Sequence, residues 1–248
     1  VVLTDLTETR RLQTKIHHLE KLSEMGRMMA SLAHQIRTPL SSAMIFAEHL
    51  VAGESETSRK GRYASRVMEK LTQLDRQVKD MLIFSKSGFL MNDRVEVGSV
   101  ITQLVNAARE ILDNKNGILR VEGTSVAGMQ MQCNSAYLIS AFCNLVENAI
   151  QACEDQGIHP EMLLKISCEN KNMLTLELID NGPGIEESQL TKVLEPFFTT
   201  KANGTGLGLP VVYAVMTGHG GAMDLINMKP QGLMVRIHLP LTNAVTVQ

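Results

Sequence analysis

Two glycine-punctuated loops stand close together late in the 248-residue sequence, Asp180-Asn181-Gly182-Pro183-Gly184-Ile185 and Gly204-Thr205-Gly206-Leu207-Gly208-Leu209. The first leaves a β-like run through a carboxylate, and the second runs straight into an apolar helical pattern. Glycine tolerates positive φ and has no side chain, so backbone N–H groups can close on a phosphate chain. With Phe197-Phe198-Thr199-Thr200-Lys201 between them, the loops read as a nucleotide pocket with a movable cover. Upstream, Asn144 and Asn148 fall on one face of a helix. An amide oxygen suits a hard cation that phosphates already hold. Asp180 can accept a hydrogen bond from an adenine amino group, and Lys201 can serve as a point charge on phosphate. Taken singly, these are a pair of surface amides, a turn-forming aspartate and a solvated loop lysine. Their order and spacing carry the signal. Neither a GxxxxGK[ST] loop nor a GxGxxG opening after a strand is present, which argues against P-loop enzymes, protein-kinase folds and dinucleotide enzymes.

Far upstream, His34 offers a place for a phosphoryl group to go. A lone histidine is ordinarily a solvated surface residue. Here the stripe Ser23, Arg27, Ser31, His34, Thr38, Ser41 is polar and mostly small, leaving room for a partner, and Arg37 adds positive charge one turn away. Pro39 removes a backbone hydrogen bond beside the histidine and should bend or loosen the helix. An imidazole titrating near neutrality is a nucleophile when one nitrogen is free and the other is held. Gln35 or a water can hold Nδ1, which leaves Nε2 to attack. The other histidines take the bland reading.

The elements that must position these residues are legible as periodicity. Val1–Asp5 reads as the tail of a strand, with a helix from near Leu6. From Leu19 an apolar stripe recurs in steps of three and four (Leu19, Leu22, Gly26, Met29, Ala33, Ile36, Leu40, Ala43, Ala47, Leu50), a heptad seam of about four repeats. A second seam follows the polar turn Gly53–Ser58: Ala64, Val67, Leu71, Leu74, Val78, Met81. Two long helices on a short loop make an antiparallel hairpin, and since one hairpin cannot cover its own apolar faces, a dimeric four-helix bundle is expected. After a linker at Ser87–Asn92 the pattern becomes mixed. Helices are expected over Val97–Leu112, Ser135–Ala152 and Leu209–Met216. Strands are expected near Ile118–Val121, Met129–Cys133, Leu163–Cys168, Leu174–Ile179, Ala222–Asn227 and Leu233–Leu239. Strands and helices without strict βαβ alternation read as an α+β sandwich.

Composition narrows the function classes. A net charge of −2, with 44% hydrophobic and 20% charged residues, is ordinary globular chemistry without a nucleic-acid footprint. Cys133, Cys143, Cys153 and Cys168 form no CxxC pair and have no histidine at metal-ligand spacing, so they read as small buried hydrophobes in a reducing compartment. No apolar run approaches the roughly 20 residues that cross a bilayer, and no secretory leader is present. A cytoplasmic location is expected, and the missing initial Met points to a region removed upstream.

The chain resembles the catalytic core of a two-component sensor histidine kinase. Ser31–Leu40 resembles the family's H box, Asn144–Ala149 its N box, Asp180–Ile185 its G1 box, Glu195–Lys201 its F box and Gly204–Leu209 its G2 box. Val1–Glu8 is similar to the exit of a PAS sensor domain. The resemblance implies His34 as phosphoacceptor, Asn148 as Mg²⁺ ligand, Asp180 as adenine reader and a lid, Glu195–Gly208, closing over the phosphates of ATP. The implied nucleotide contacts are Asn144, Asn148, Asp180, Gly182, Gly184, Lys201, Gly204, Thr205, Gly206, Leu207 and Gly208. It implies that Thr38 positions a water for dephosphorylating a partner. The pocket also resembles the gyrase and chaperone ATPases, which carry a Glu where Asn144 stands. Without that base, ATP should be held for transfer rather than hydrolysed. Many relatives carry Glu or Asp directly after the histidine, whereas Gln35 cannot take a proton.

The domains expected are 1–18 as the end of a PAS-like domain with a coiled-coil linker, 19–87 for dimerisation and phosphotransfer, 93–242 for ATP binding and 243–248 as a tail. The compact lid looks like kinases that drive nitrogen-regulator-type, sigma-54-dependent activators, and His34–Ser41 is similar to the flagellar-regulation members. The expected partners are a second copy through the bundle and a response-regulator receiver domain. A phosphatase-dominant enzyme and a nucleotide-sensing dimeric scaffold without transfer are the alternatives.

Overall fold

The computed structural model describes residues 29–51, 57–85, 93–169, 172–201 and 204–242. The expected PAS-exit strand, the helical lead-in with the first part of the heptad seam, the linker and the C-terminal tail lie outside the described residues.

Two units emerge. The first is a pair of long helices in contact, α1 (Met29–Val51) and α2 (Thr57–Ser85). Helix α1 runs through Pro39, which has no N–H to give the carbonyl one turn back. Helix α2 begins at Thr57, inside the stretch expected to be a turn, in keeping with the preference of Thr and Ser for helix starts. Ala43 and Ile83 are buried, while Leu40, Met44, Ile45, Met68, Leu71, Val78 and Leu82 are exposed. Members of both seams, Leu40, Leu71 and Val78, are therefore left uncovered by the hairpin itself.

The second unit is an α/β sandwich. A five-stranded mixed sheet runs in the order β2 (Ile118–Gly123), β4 (Glu161–Glu169), β5 (Met173–Asp180), β7 (Leu233–Pro240), β6 (Ala222–Asn227). Only β2 and β4 are parallel; β5 meets β4 and β7 antiparallel, and β7 meets β6 antiparallel. Three helices, α3 (Val97–Asp113), α4 (Ser135–Glu154) and α5 (Gly208–Gly218), carry the apolar faces that complete the core. Period-two alternation aims Leu174, Leu176 and Leu178 of β5 and Val235, Ile237 and Leu239 of β7 to the buried side, with Phe142, Val146, Val211 and Val215 of the helices also buried. On the opposite side of the same strands Glu177 pairs with Arg236 at 2.8 Å. A short two-stranded ribbon, β1 (Asp93–Glu96) with β3 (Gln130–Cys133), precedes this core. Strand β1 escapes the sequence reading because Asp-Arg-Val-Glu is largely exposed and shows no alternation. The expected sandwich is borne out, with most elements extending a residue or two beyond their expected ends.

Candidate functional site

Asp180 is the last residue of β5, where the chain leaves the sheet for the first glycine loop. Its Oδ1 accepts hydrogen bonds from the backbone N–H of Gly182 at 2.9 Å and of Leu233 at 3.1 Å. Burial pushes its pKa up, and those two N–H donors pull it partly back. With Oδ1 occupied by backbone, Oδ2 is left for a ligand's donor, among the described residues. The site therefore has a part-buried carboxylate held rigidly and facing a choice between a proton and an external N–H.

The loop after Asp180 is tied down from both sides. Asn181 Nδ2 donates to His159 O at 2.9 Å, and its Oδ1 accepts from Glu161 N at 2.9 Å and from Cys153 Sγ at 3.3 Å. Gln231 Nε2 donates to Asn181 O at 3.1 Å. A Cβ on Gly182 would lie 3.1 Å from Asp180 Oδ1, 3.5 Å from Cys153 Sγ and 3.7 Å from Ala152 Cβ, so the loop rests on the C-terminal half of α4. Gly184 adopts φ of +79°, which side-chain-bearing residues rarely take. Burial, with the nearby Asp180 charge, pushes the Cys153 thiol up to about 11, so it stays protonated and donates.

Helix α4 carries the two amides. Its N-cap Asn134 accepts from Tyr137 N at 3.2 Å, which fixes the helix start. Asn144 is only 5% exposed, whereas Asn148, one turn on, is half-buried. A Cβ on Gly208 would come within 3.2 Å of Asn148 Nδ2, so the backbone that opens α5 passes directly against this amide. The N-cap of α5, Leu207, has no side chain that could satisfy the first N–H groups. Those donors and the positive end of the helix dipole suit an anion. Gly208 thus lies against Asn148, while Gly182 rests on Asp180 and on Ala152 and Cys153, farther along the same helix α4. A nucleotide with bound Mg²⁺ fits this donor set: an open carboxylate oxygen for an amino group, N–H donors for phosphate and an amide oxygen for a phosphate-held cation. No group of three His, Cys, Asp or Glu side chains able to hold a metal occurs among the described residues.

The segment between the glycine loops is held where Phe197 meets Gly206. Phe197 N donates to Gly206 O at 2.8 Å, both residues have positive φ (+67° and +65°), and a Cβ on Gly206 would strike the Phe197 carbonyl carbon at 2.4 Å. Within Thr199–Thr205, Lys201 N donates to Thr199 Oγ1 at 3.1 Å and Gly204 N to Lys201 O at 3.2 Å. Thr205 is half-buried and Leu207 is buried.

His34 and Gln35 belong to α1, and their side chains lie outside the described residues. Thr38 is exposed on the same helix, and its carbonyl accepts from Ser42 Oγ at 3.1 Å. His219, which took the bland reading as a residue beside a Gly-Gly turn, departs from it in the structure. It is buried, its Nδ1 meets Val215 O at 2.7 Å, and its Nε2 accepts from Asn134 N at 3.0 Å. The only hint in sequence was its position before Gly220-Gly221, where a helix must stop.

Two protein families match parts of the chain. Residues 24–89 match the His Kinase A (phospho-acceptor) domain, and residues 133–243 match the histidine kinase-, DNA gyrase B- and HSP90-like ATPase family. The chain is 42% identical over 98% of its length to the sensor protein kinase FleS of Pseudomonas aeruginosa, covering 59% of that protein. It is 33% identical over 94% of its length to the sensor histidine kinase ZraS of Salmonella typhimurium, covering 49% of it. The chain thus spans about half to three-fifths of these curated relatives. Among solved structures, the histidine kinase ThkA in complex with the response regulator protein TrrA shares the fold with a TM-score of 0.69 at 22% identity, over 96% of this chain and 68% of that one.

Proposed function

Because the chain belongs to the two-component sensor histidine kinase family, as its catalytic core, we propose that it phosphorylates its own His34 from Mg-ATP and passes the phosphoryl group to an aspartate of a response regulator. The observation that carries this reading is Asp180, a part-buried carboxylate with one oxygen held by two backbone N–H groups and the other open to an adenine amino group. Asn148 and the first N–H groups of α5 would receive the phosphates. Asn148 is the residue proposed to ligate Mg²⁺, which would neutralise phosphate charge as the leaving oxygen departs. In the transfer, His34 Nε2 forms a P–N bond as the bond from the γ-phosphorus to the β–γ bridging oxygen breaks. ADP leaves, and the imidazole proton passes to solvent, since Gln35 has no basic atom. Asn144, Gly182, Gly184, Gly206 and Leu207 shape the pocket, and Lys201, Gly204 and Thr205 belong to its cover.

The domain limits proposed are 19–87 for dimerisation and phosphotransfer and 93–242 for nucleotide binding. The uncovered apolar residues on the hairpin support a homodimer through the bundle. The resemblance at His34–Ser41 favours a sigma-54-dependent activator of flagellar genes as the regulator, in the cytoplasm. That ThkA was solved with a response regulator supports this class of partner. Exposure of Thr38 beside Gln35 also favours a second activity, dephosphorylation of the regulator, with Thr38 placing the water.

Incubation with γ-labelled ATP and Mg²⁺ tests the main reading. Acid-labile, base-stable label should appear on the wild-type chain and be absent from His34→Gln. Label of that kind on the variant would sink the assignment. Loss of regulator dephosphorylation in Thr38→Ala, with its survival in His34→Gln, tests the second.

A further inference from the structure

Asn227, the last residue of β6, was singled out by no motif, yet it makes a two-way contact with the first glycine loop. Its Oδ1 accepts from Ile185 N at 2.9 Å, and its Nδ2 donates to Ile185 O at 2.6 Å. One carboxamide thereby pairs with both backbone polar groups of one residue, 42 positions away in sequence. This is the geometry of a strand pairing condensed into a side chain. Ile185 is where the loop that began at Asp180 ends, so the amide sets the position of the loop's far end. The near end is set by the following turn of the same β6–β7 hairpin: Leu233 N holds Asp180 Oδ1 and Gln231 Nε2 holds Asn181 O. At Gly184, between the two, a Cβ would sit 2.8 Å from Asn227 Oδ1 and 3.2 Å from Gly232 O. The absence of a side chain there lets the hairpin approach so closely.

We infer that Asn227 is a positioning residue for the nucleotide: through Ile185 it fixes the loop Asp180–Ile185 in the conformation that accepts the adenine end of ATP. This rests on the nucleotide reading given above. The chemistry requires an amide. A carboxylate of the same shape can still accept from Ile185 N–H, but its second oxygen then faces the Ile185 carbonyl, acceptor against acceptor. A hydrocarbon of similar size leaves both backbone groups without their partner. Among the described residues, the hydrogen bonds of the Asn227 side chain go to Ile185 and not to the N–H groups that open α5. Its removal should therefore weaken ATP binding and raise KM for ATP while leaving kcat at saturating ATP nearly unchanged.

The test uses the whole chain and the variants Asn227→Asp and Asn227→Leu, with Kd for ATP by titration calorimetry, KM and kcat for self-phosphorylation and thermal melting without nucleotide. Expected is a rise in Kd and KM of about tenfold or more in both variants, with kcat within about twofold and a cooperative melt retained. Wild-type affinity in either folded variant overturns the inference. So does a fall in kcat equal to the loss in kcat/KM, which would place Asn227 in the chemistry. Loss of cooperative melting in both variants overturns it as well, since Asn227 would then serve the fold and not the loop. A wild-type chain that binds no ATP defeats the nucleotide reading itself, and that outcome is told apart by the absence of binding before any substitution.

Discussion

Asp180 faces opposed demands. Burial favours its protonated form, while an adenine amino group needs an acceptor on the ionised one. Because its folded pKa lies above the ordinary aspartate value, the empty domain gains stability from this residue when it is protonated and loses that gain as pH rises through the folded pKa. Nucleotide binding runs the other way. ATP affinity is expected to decline on acidification at pH values where an exposed aspartate would still be ionised, and Asp180→Asn should abolish that slope while weakening binding about tenfold or more. Calorimetric titrations across a pH series check both parts; an unaltered slope in the variant would remove Asp180 from the recognition step. How Asp180 could be found in the sequence, and how Leu233 could not, has a physical basis. The carboxylate stands at a strand exit before glycines, a local pattern. The Leu233 N–H reaches it only because β5 and β7 pair in one register across 53 positions, which no local pattern encodes.

At the level of elements, His219 ties the C-terminal end of α5 to the start of α4. Its lone pair on Nε2 must accept from Asn134 N–H, which fixes the proton on Nδ1 toward Val215 O. Burial lowers its pKa, the Val215 carbonyl opposing this in part. A histidine whose folded pKa is depressed contributes stability that is full above its ordinary pKa and is lost as pH falls below it. Thermal melting is therefore expected at lower temperature as pH drops below about 6.5, with the slope reduced in His219→Gln. Removing the imidazole in His219→Ala should cost about 1–3 kcal/mol at neutral pH, since Asn134 N–H loses its acceptor. An unchanged melting temperature in His219→Ala would show that the link is idle. The helices and longer strands were readable because their apolar periods are long and clean. The ribbon strand Asp93–Glu96 was not, being short and mostly exposed, and neither was the strand order, which places β7 between β5 and β6 through pairings distant in sequence.

For the molecule as a whole, the hairpin's surface is the informative feature. Leu40, Leu71 and Val78 stay exposed although they lie on the heptad seams that a bundle would bury, and Met44, Ile45, Met68 and Leu82 add exposed apolar surface on the same two helices. The expected outcome is a dimer in solution that Leu71→Lys combined with Val78→Lys converts to monomer. Analytical ultracentrifugation reads this directly, and a wild-type monomer at tens of micromolar would refute it. Periodicity made this hairpin visible in the sequence, but the burial of Gln77 and Asp80 within it was hidden, because both look like polar surface residues on a helical wheel.

Strand β7 follows every other strand in the chain yet lies inside the sheet, flanked by β5 and β6. While the ribosome is still making residues before Leu233, β5 and β6 have bare edges with nothing to bridge them. The Asp180 carboxylate also lacks one of its two backbone donors until Leu233 arrives. The proposed nucleotide site is therefore completed only at the end of synthesis of this domain. A chain truncated ahead of Leu233 is expected to expose unpaired strand edges and to bind no ATP, which nucleotide titration of the truncated chain checks.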